Sequence, residues 1–134
     1  MNEKKLVRVR DVMKRQFDTV EGMSTVSEAL DTMQHVDTKT LIVKQRHADD
    51  EIGMVLLSDI SRQVLAMDRA PDRVNIYEIM SKPVMAVHPD MDIRYCARLF
   101  GRFNLSRAPV VEGHEVIGIV SLTDLVMKGM VPNL

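Results

Sequence analysis

Two short runs bring hydroxyl and carboxylate groups together at the start of a helical pattern. One holds Ser121, Thr123 and Asp124, the other Ser58 and Asp59. An ionised carboxylate only accepts hydrogen bonds, whereas a hydroxyl both donates and accepts, so each run can cap a helix or present a polar edge to a ligand. Both runs share one grammar, Gly118-Ile119-Val120-Ser121-Leu122-Thr123-Asp124-Leu125 and Gly53-Met54-Val55-Leu56-Leu57-Ser58-Asp59-Ile60. A glycine opens an apolar run, and the run delivers its polar groups where a helix begins. The copies differ at one telling place, since Leu56 stands where the other copy has Ser121. A purely structural use is also open to these residues: Asp59 and Asp124 suit the first turn of a helix, and Ser58 and Thr123 suit its cap, at about 0.5–2 kcal/mol for a cap.

Other chemistry is poorly provided for. No nucleophile stands in a motif with a base, no glycine-rich phosphate loop occurs, and His35, His47, His88 and His114 lack metal-ligand spacing, so neither an enzyme nor a metal site is expected. Cys96 is the one cysteine, which leaves no internal disulfide, and its place on an apolar helical face reads as a small core hydrophobe. With 46% hydrophobic and 28% charged residues in 134, the chain has the composition of a soluble globular protein, and no apolar run approaches a membrane span. A formal net charge of −1 gives no field for a polyanion. The basic residues Lys4, Lys5, Arg8, Arg10, Lys14 and Arg15 read as a solvated arm, and the scarcity of aromatics argues against nucleic-acid binding. The start has no signal-peptide h-region, so the cytoplasm is the expected compartment.

The elements that must position these groups recur in order. Asp11-Val12-Met13 reads as a turn of helix before a small strand over 17–20. Thr25 and Glu28 form a capping box, followed by Val26, Ala29, Leu30, Met33 and Val36 on one helical face. A strand over 40–43, a polar turn over 47–51 and a strand over 52–57 read as a hairpin. Ser58 is placed to cap a helix with Ile60, Val64, Leu65 and Met67 on its apolar stripe, and residues 68–73 read as a linker. The order then repeats. Residues 76–80 parallel the stretch ending at Met13, 84–87 parallel 17–20, and Asp92 takes the place of Thr25. Ile93, Cys96, Ala97, Phe100 and Phe103 repeat the earlier apolar spacing, before a hairpin over 108–120 and a helix from about Thr123. Each half reads β-α-β-β-α. The expected fold class is α/β (α+β), with a first domain over 1–70, including the arm and the start of the linker, and a second over 71–134. A half of roughly 60 residues buries its sheet poorly alone, so the halves are expected to pack as a pseudo-twofold pair.

This pattern resembles a tandem pair of cystathionine β-synthase (CBS) domains, a Bateman module, over nearly the whole chain. Gly118-Ile119-Val120-Ser121-Leu122-Thr123-Asp124 matches the close of the family unit at every position. Met80 before Pro83-Val84, Pro89-Asp90, and Arg107-Ala108-Pro109-Val110 match its earlier parts. The resemblance implies a regulatory module that binds an adenosine-type ligand (AMP, ADP, ATP or S-adenosylmethionine) in a cleft between the units and signals to a partner protein. Magnesium enters only if it accompanies a nucleotide. By the same resemblance Asp124 accepts from the ribose hydroxyls, Ser121, Thr123 and Arg107 face phosphate, the backbone of Lys82, Pro83, Val84 and Met85 reads adenine, and Ala108 and Pro109 line its face. The first copy offers Asp59, Ser58, Thr40, Lys39 and Phe17 around Leu56, which implies a weaker or empty second site. A homodimer is expected from the family. The alternative is a protein-interaction or dimerisation module of the same fold that binds no nucleotide.

Overall fold

Strands form where β-branched residues run together, and the computed structural model describes residues 6–131 of the chain. These residues make two compact units, one of residues 16–84 and one of residues 6–15 with 85–131. The boundary expected at 70/71 coincides with neither edge of these units.

In the first unit β1 (Asp18–Val20) lies parallel to β2 (Thr40–Val43), which pairs antiparallel with β3 (Gly53–Leu56) in the order β1-β2-β3. Thr25 caps α2 (Val26–Thr32) as its spacing predicts: its hydroxyl accepts from the Glu28 amide at 3.1 Å, and Glu28 accepts in return from the Thr25 amide. The helix is shorter than the apolar spacing suggests. The amides of Gln34 and His35 leave it to donate to the Asp18 carboxylate at 2.8 Å each, and Val36 opens a 3-10 turn with its side chain exposed. After β3 comes α3 (Leu57–Ile60), which runs on into a π-helical turn over Ser61–Leu65. Ser58 lies inside α3 and does not cap it. Leu56 is the N-cap, and its amide donates to Asp59. Val64 is buried beneath, while Leu65 and Met67 face outward.

The second unit contains α1 (Val9–Val12), α4 (Ile93–Phe103), the hairpin β4 (Arg107–Glu112) and β5 (Glu115–Ser121), and α5 (Leu122–Met127). Its expected strand over 84–87 shrinks to one parallel bridge between Val87 and Val110. Pro109 occupies the register position that Ile42 fills in β2, and without an N–H it cannot donate to a neighbouring strand. On α4, Cys96 and Phe100 are buried as predicted, but Leu99 packs against the core in place of Ala97, and Phe103 is half exposed. Burial pushes the Cys96 thiol up to about 11, so it stays protonated at neutral pH. α5 begins at Leu122, with Ser121 rather than Thr123 as its cap.

The division of the chain follows from its leading segments. Lys14 exchanges both backbone hydrogen bonds with Ile119 of β5, at 2.8 and 2.9 Å, and Val9, Val12 and Met13 join the core of the second unit. In the same way Ser81 exchanges two with Met54 of β3, at 2.9 and 3.0 Å, and Val74, Ile76 and Ile79 join the core of the first. Each repeat therefore completes its core with the segment that leads the other repeat. The glycine that opens each run permits this approach. A Cβ on Gly118 would stand 2.7 Å from the Lys14 carbonyl oxygen and 2.8 Å from the Met13 sulfur, and one on Gly53 would stand 2.7 Å from the Met80 sulfur.

Candidate functional site

The β5–α5 junction of the second unit gathers most of the predicted groups. Ser121 ends β5 and caps α5, its hydroxyl accepting from the Asp124 amide at 3.1 Å. This bond fixes Asp124 in the first turn, where its side chain is buried to 4% residue exposure. Arg107 is the register partner of Ser121 across the hairpin, which puts its side chain on the same face beside the carboxylate. Burial lowers the Arg107 pKa, and the negative charge of Asp124 works against that shift. With only six residues, α5 supplies little dipole, so any attraction for an anion comes from side chains, Arg107 among them.

Sequence reasoning missed the group nearest Asp124. The Lys14 ammonium stands 2.7 Å from Asp124 Oδ2, and Lys128 approaches Oδ1 at 3.6 Å. A lysine in a basic arm reads as solvated, yet Lys14 follows Met13 as Ser81 follows Met80, and aligning the leading segments marks it as the residue that must pair with β5. The close approach at Gly118 thus sets both the backbone pairing and the ion pair.

The remaining predicted groups fall as follows. Ala108 and Pro109 are buried in β4, and the Ala108 methyl belongs to the core, which leaves its backbone for any ligand contact. Thr123 is exposed on α5. Met85 begins the second segment of this unit, whereas Lys82, Pro83 and Val84 end the first unit, where the Lys82 ammonium bonds Asp50 at 2.8 Å. In the first unit Asp59 is also buried, but its carboxylate is held by the Leu56 amide and the Arg62 guanidinium. The Thr40 hydroxyl is fully buried and donates to the Thr38 carbonyl at 2.8 Å. Lys39 is exposed in a left-handed conformation, Ser58 is exposed, and Phe17 is half-buried. Leu56 pairs with Thr40 as Ser121 pairs with Arg107, so the two junctions are equivalent in backbone and different in chemistry.

Outside these junctions, His88, Asp90 and Glu112 bring three potential ligand atoms within 4.8 Å of one another on the surface of the second unit, a cluster the histidine spacing did not reveal. Arg10 already bonds both acids there, at 2.8 and 3.1 Å, and the Asp90 amide donates to His88 Nδ1. The protein itself supplies the cation.

Comparison with known proteins gives a consistent result. The family model described as CBS domain matches residues 9–66 and 76–130. An uncharacterised protein of Methanopyrus kandleri is 30% identical over 121 residues, 89% of this chain and 61% of that protein, so the chain spans under two thirds of this relative's length. Among solved structures, the hexameric CBS-CP12 protein from bloom-forming cyanobacteria has a TM-score of 0.88 at 34% identity, covering 93% of this chain and 72% of that one. The CBS domain pair of protein MJ0100, solved with 5′-methylthioadenosine and S-adenosyl-L-methionine, has a TM-score of 0.78 at 24% identity over 93% of this chain and 97% of that one. No helix among the described residues is long and apolar enough to cross a membrane.

Proposed function

The chain belongs to the CBS-domain family, carrying two copies, and on that premise we propose that it is a regulatory module that senses an adenosine-type ligand and signals to a partner protein in the cytoplasm. The observation that carries this reading is the buried Asp124 carboxylate, in the helical turn that Ser121 caps and flanked by Arg107 across the hairpin. In a ligand complex Asp124 accepts from the two ribose hydroxyls, which take over the place of the Lys14 ammonium, while Arg107 meets phosphate. The fold itself accommodates adenosine ligands in the MJ0100 pair, so the architecture has precedent.

Binding is expected at the Asp124 junction and not at Asp59. There Leu56 replaces the capping serine, and Thr40, whose hydroxyl is used by the backbone, stands in the register position of Arg107.

A thermal-shift panel of AMP, ADP, ATP, S-adenosylmethionine and NADH, each with and without magnesium, tests the reading. A ligand at one hundred times its dissociation constant stabilises the native state by about 2.7 kcal/mol. A flat panel together with no heat in calorimetry would instead favour the interaction module without a nucleotide.

Self-association is the second part of the proposal. Leu122, Val126, Met127 and Met130 in and after α5 are exposed together, an apolar surface suited to a second copy. Light scattering on a gel-filtration peak is expected to give the mass of a homodimer. A monomer mass throughout the micromolar range would overturn it.

A further inference from the structure

A cavity of about 530 Å³ opens in the first unit at the far end of β1 and β2, away from the Asp59 junction. Its walls are Val43, Met80 and the half-exposed ring of Tyr77, and Lys44, Arg46 and Lys82 stand around it. Its size falls in the range of small-molecule sites, and its apolar walls with a few convergent charges have the anatomy of one.

The charges do not cancel. Lys44 reaches Glu21 at 3.4 Å, while Arg46 and Lys82 share the single carboxylate of Asp50 at 3.0 and 2.8 Å. Three cations therefore face two carboxylates, and one positive charge is left over.

The second unit holds an ion-pair cluster at the equivalent place. Ile76-Tyr77-Glu78 corresponds to Val9-Arg10-Asp11: the Tyr77 amide donates to the Gly22 carbonyl as the Arg10 amide donates to that of Pro89, both at 2.9 Å. Arg10 stands at that place in the second unit and bonds Asp90 and Glu112. In the first unit Tyr77 stands in the arginine's position, and Met23 stands in that of Asp90, so the arginine and one of its two acceptors are replaced. What remains is an aromatic wall and an unbalanced cation cluster.

We propose that this cavity is a second ligand site, separate from the Asp124 junction, which takes a small monoanion with a flat apolar body, an aromatic carboxylate. The carboxylate answers the one surplus positive charge among Lys44, Arg46 and Lys82. The flat body lies against Tyr77, with the Met80 thioether and Val43 completing its surroundings. A phosphate monoester carries close to two charges at neutral pH and fits the surplus less well.

The test is a titration of the full chain with 2-naphthoate, followed by amide NMR shifts. Saturable shifts are expected at Gly22, Val43, Lys44 and Tyr77, with a dissociation constant on the order of 1 mM or tighter. Neutral 2-naphthylmethanol should bind at least about tenfold more weakly, as should Lys44→Gln with naphthoate, because each removes a charge-assisted contact. Gly22→Leu gives a steric arm: a Cβ there lies 3.5 Å from Tyr77 and 3.6 Å from Val43, ordinary contact distances, so the longer side chain enters the cavity without forcing the backbone. It should abolish the shifts. Shifts absent or located elsewhere, equal affinity for the neutral probe, or competition by AMP would each overturn the proposal. Failure of AMP to bind leaves this site standing, since only the naphthoate arms report on it.

Discussion

Replacing Asp124 with alanine is expected to lower the affinity for the responding adenosine ligand at least about a hundredfold by calorimetry. Each hydrogen bond to a charged acceptor contributes about 1.5–3 kcal/mol, and the ribose loses two. The variant also releases Lys14, which keeps a quarter of its side chain in solvent and so tolerates the loss of its partner better than a fully buried ammonium would. Asp124→Asn keeps one acceptor oxygen and the size of the side chain, and should give an intermediate loss. Asp59→Ala should change affinity by less than about twofold, because Leu56 and Thr40 stand at that junction where Ser121 and Arg107 stand beside Asp124. Equal losses from Asp124→Ala and Asp59→Ala would show that the contrast between Ser121 and Leu56 does not decide binding.

Gly118→Ala is expected to destabilise the protein by about 2–3 kcal/mol in denaturant unfolding. The new methyl would meet the Lys14 carbonyl and the Met13 sulfur inside contact distance, and the backbone oxygen cannot move without breaking the pairing with Ile119. Gly53→Ala should cost less, because the atom nearest its new methyl is the Met80 sulfur at the end of a flexible side chain. Gly101→Ala is the control. It sits within α4 with nothing within 4 Å of its added methyl, and should gain about 0.5–1 kcal/mol from helix propensity. A Gly118→Ala protein as stable as the parent would mean that the leading segment is not held against β5.

The elements legible in the sequence are those whose signals are local. Thr25 with Glu28, and Asp92 before α4, act through bonds spanning two or three residues, and the structure has them. The duplication was legible because cap and apolar spacing recur together. Helix extent was less so: α2 stops at Thr32 because Asp18, sixteen residues earlier, captures the next amides, and no window around α2 contains that acceptor. The strand over 84–87 failed for a comparable reason, since the missing donor is Pro109. Of the candidate site, Ser121, Asp124 and Arg107 were legible from one repeated motif and a hairpin register. Lys14 was not, because its partner lies 110 residues away and its neighbours in the arm are other cations. Ser58 and Thr123 looked like caps because serine and threonine favour that position, yet the chain turns into each helix earlier, at Leu56 and Ser121.

The exchange of leading segments also changes what a half of this protein is. A fragment ending at residue 70 would hold the sheet of the first unit without Val74, Ile76 and Ile79, while carrying Val9, Val12 and Met13, which complete a core it does not possess. The other fragment would be deficient in the reciprocal way. The genetic halves are thus complements rather than modules, each carrying the other's missing piece. An insertion or fusion that respects folding belongs at 15/16 or 84/85, where the chain passes from one unit to the other, and not at the linker where the sequence begins to repeat.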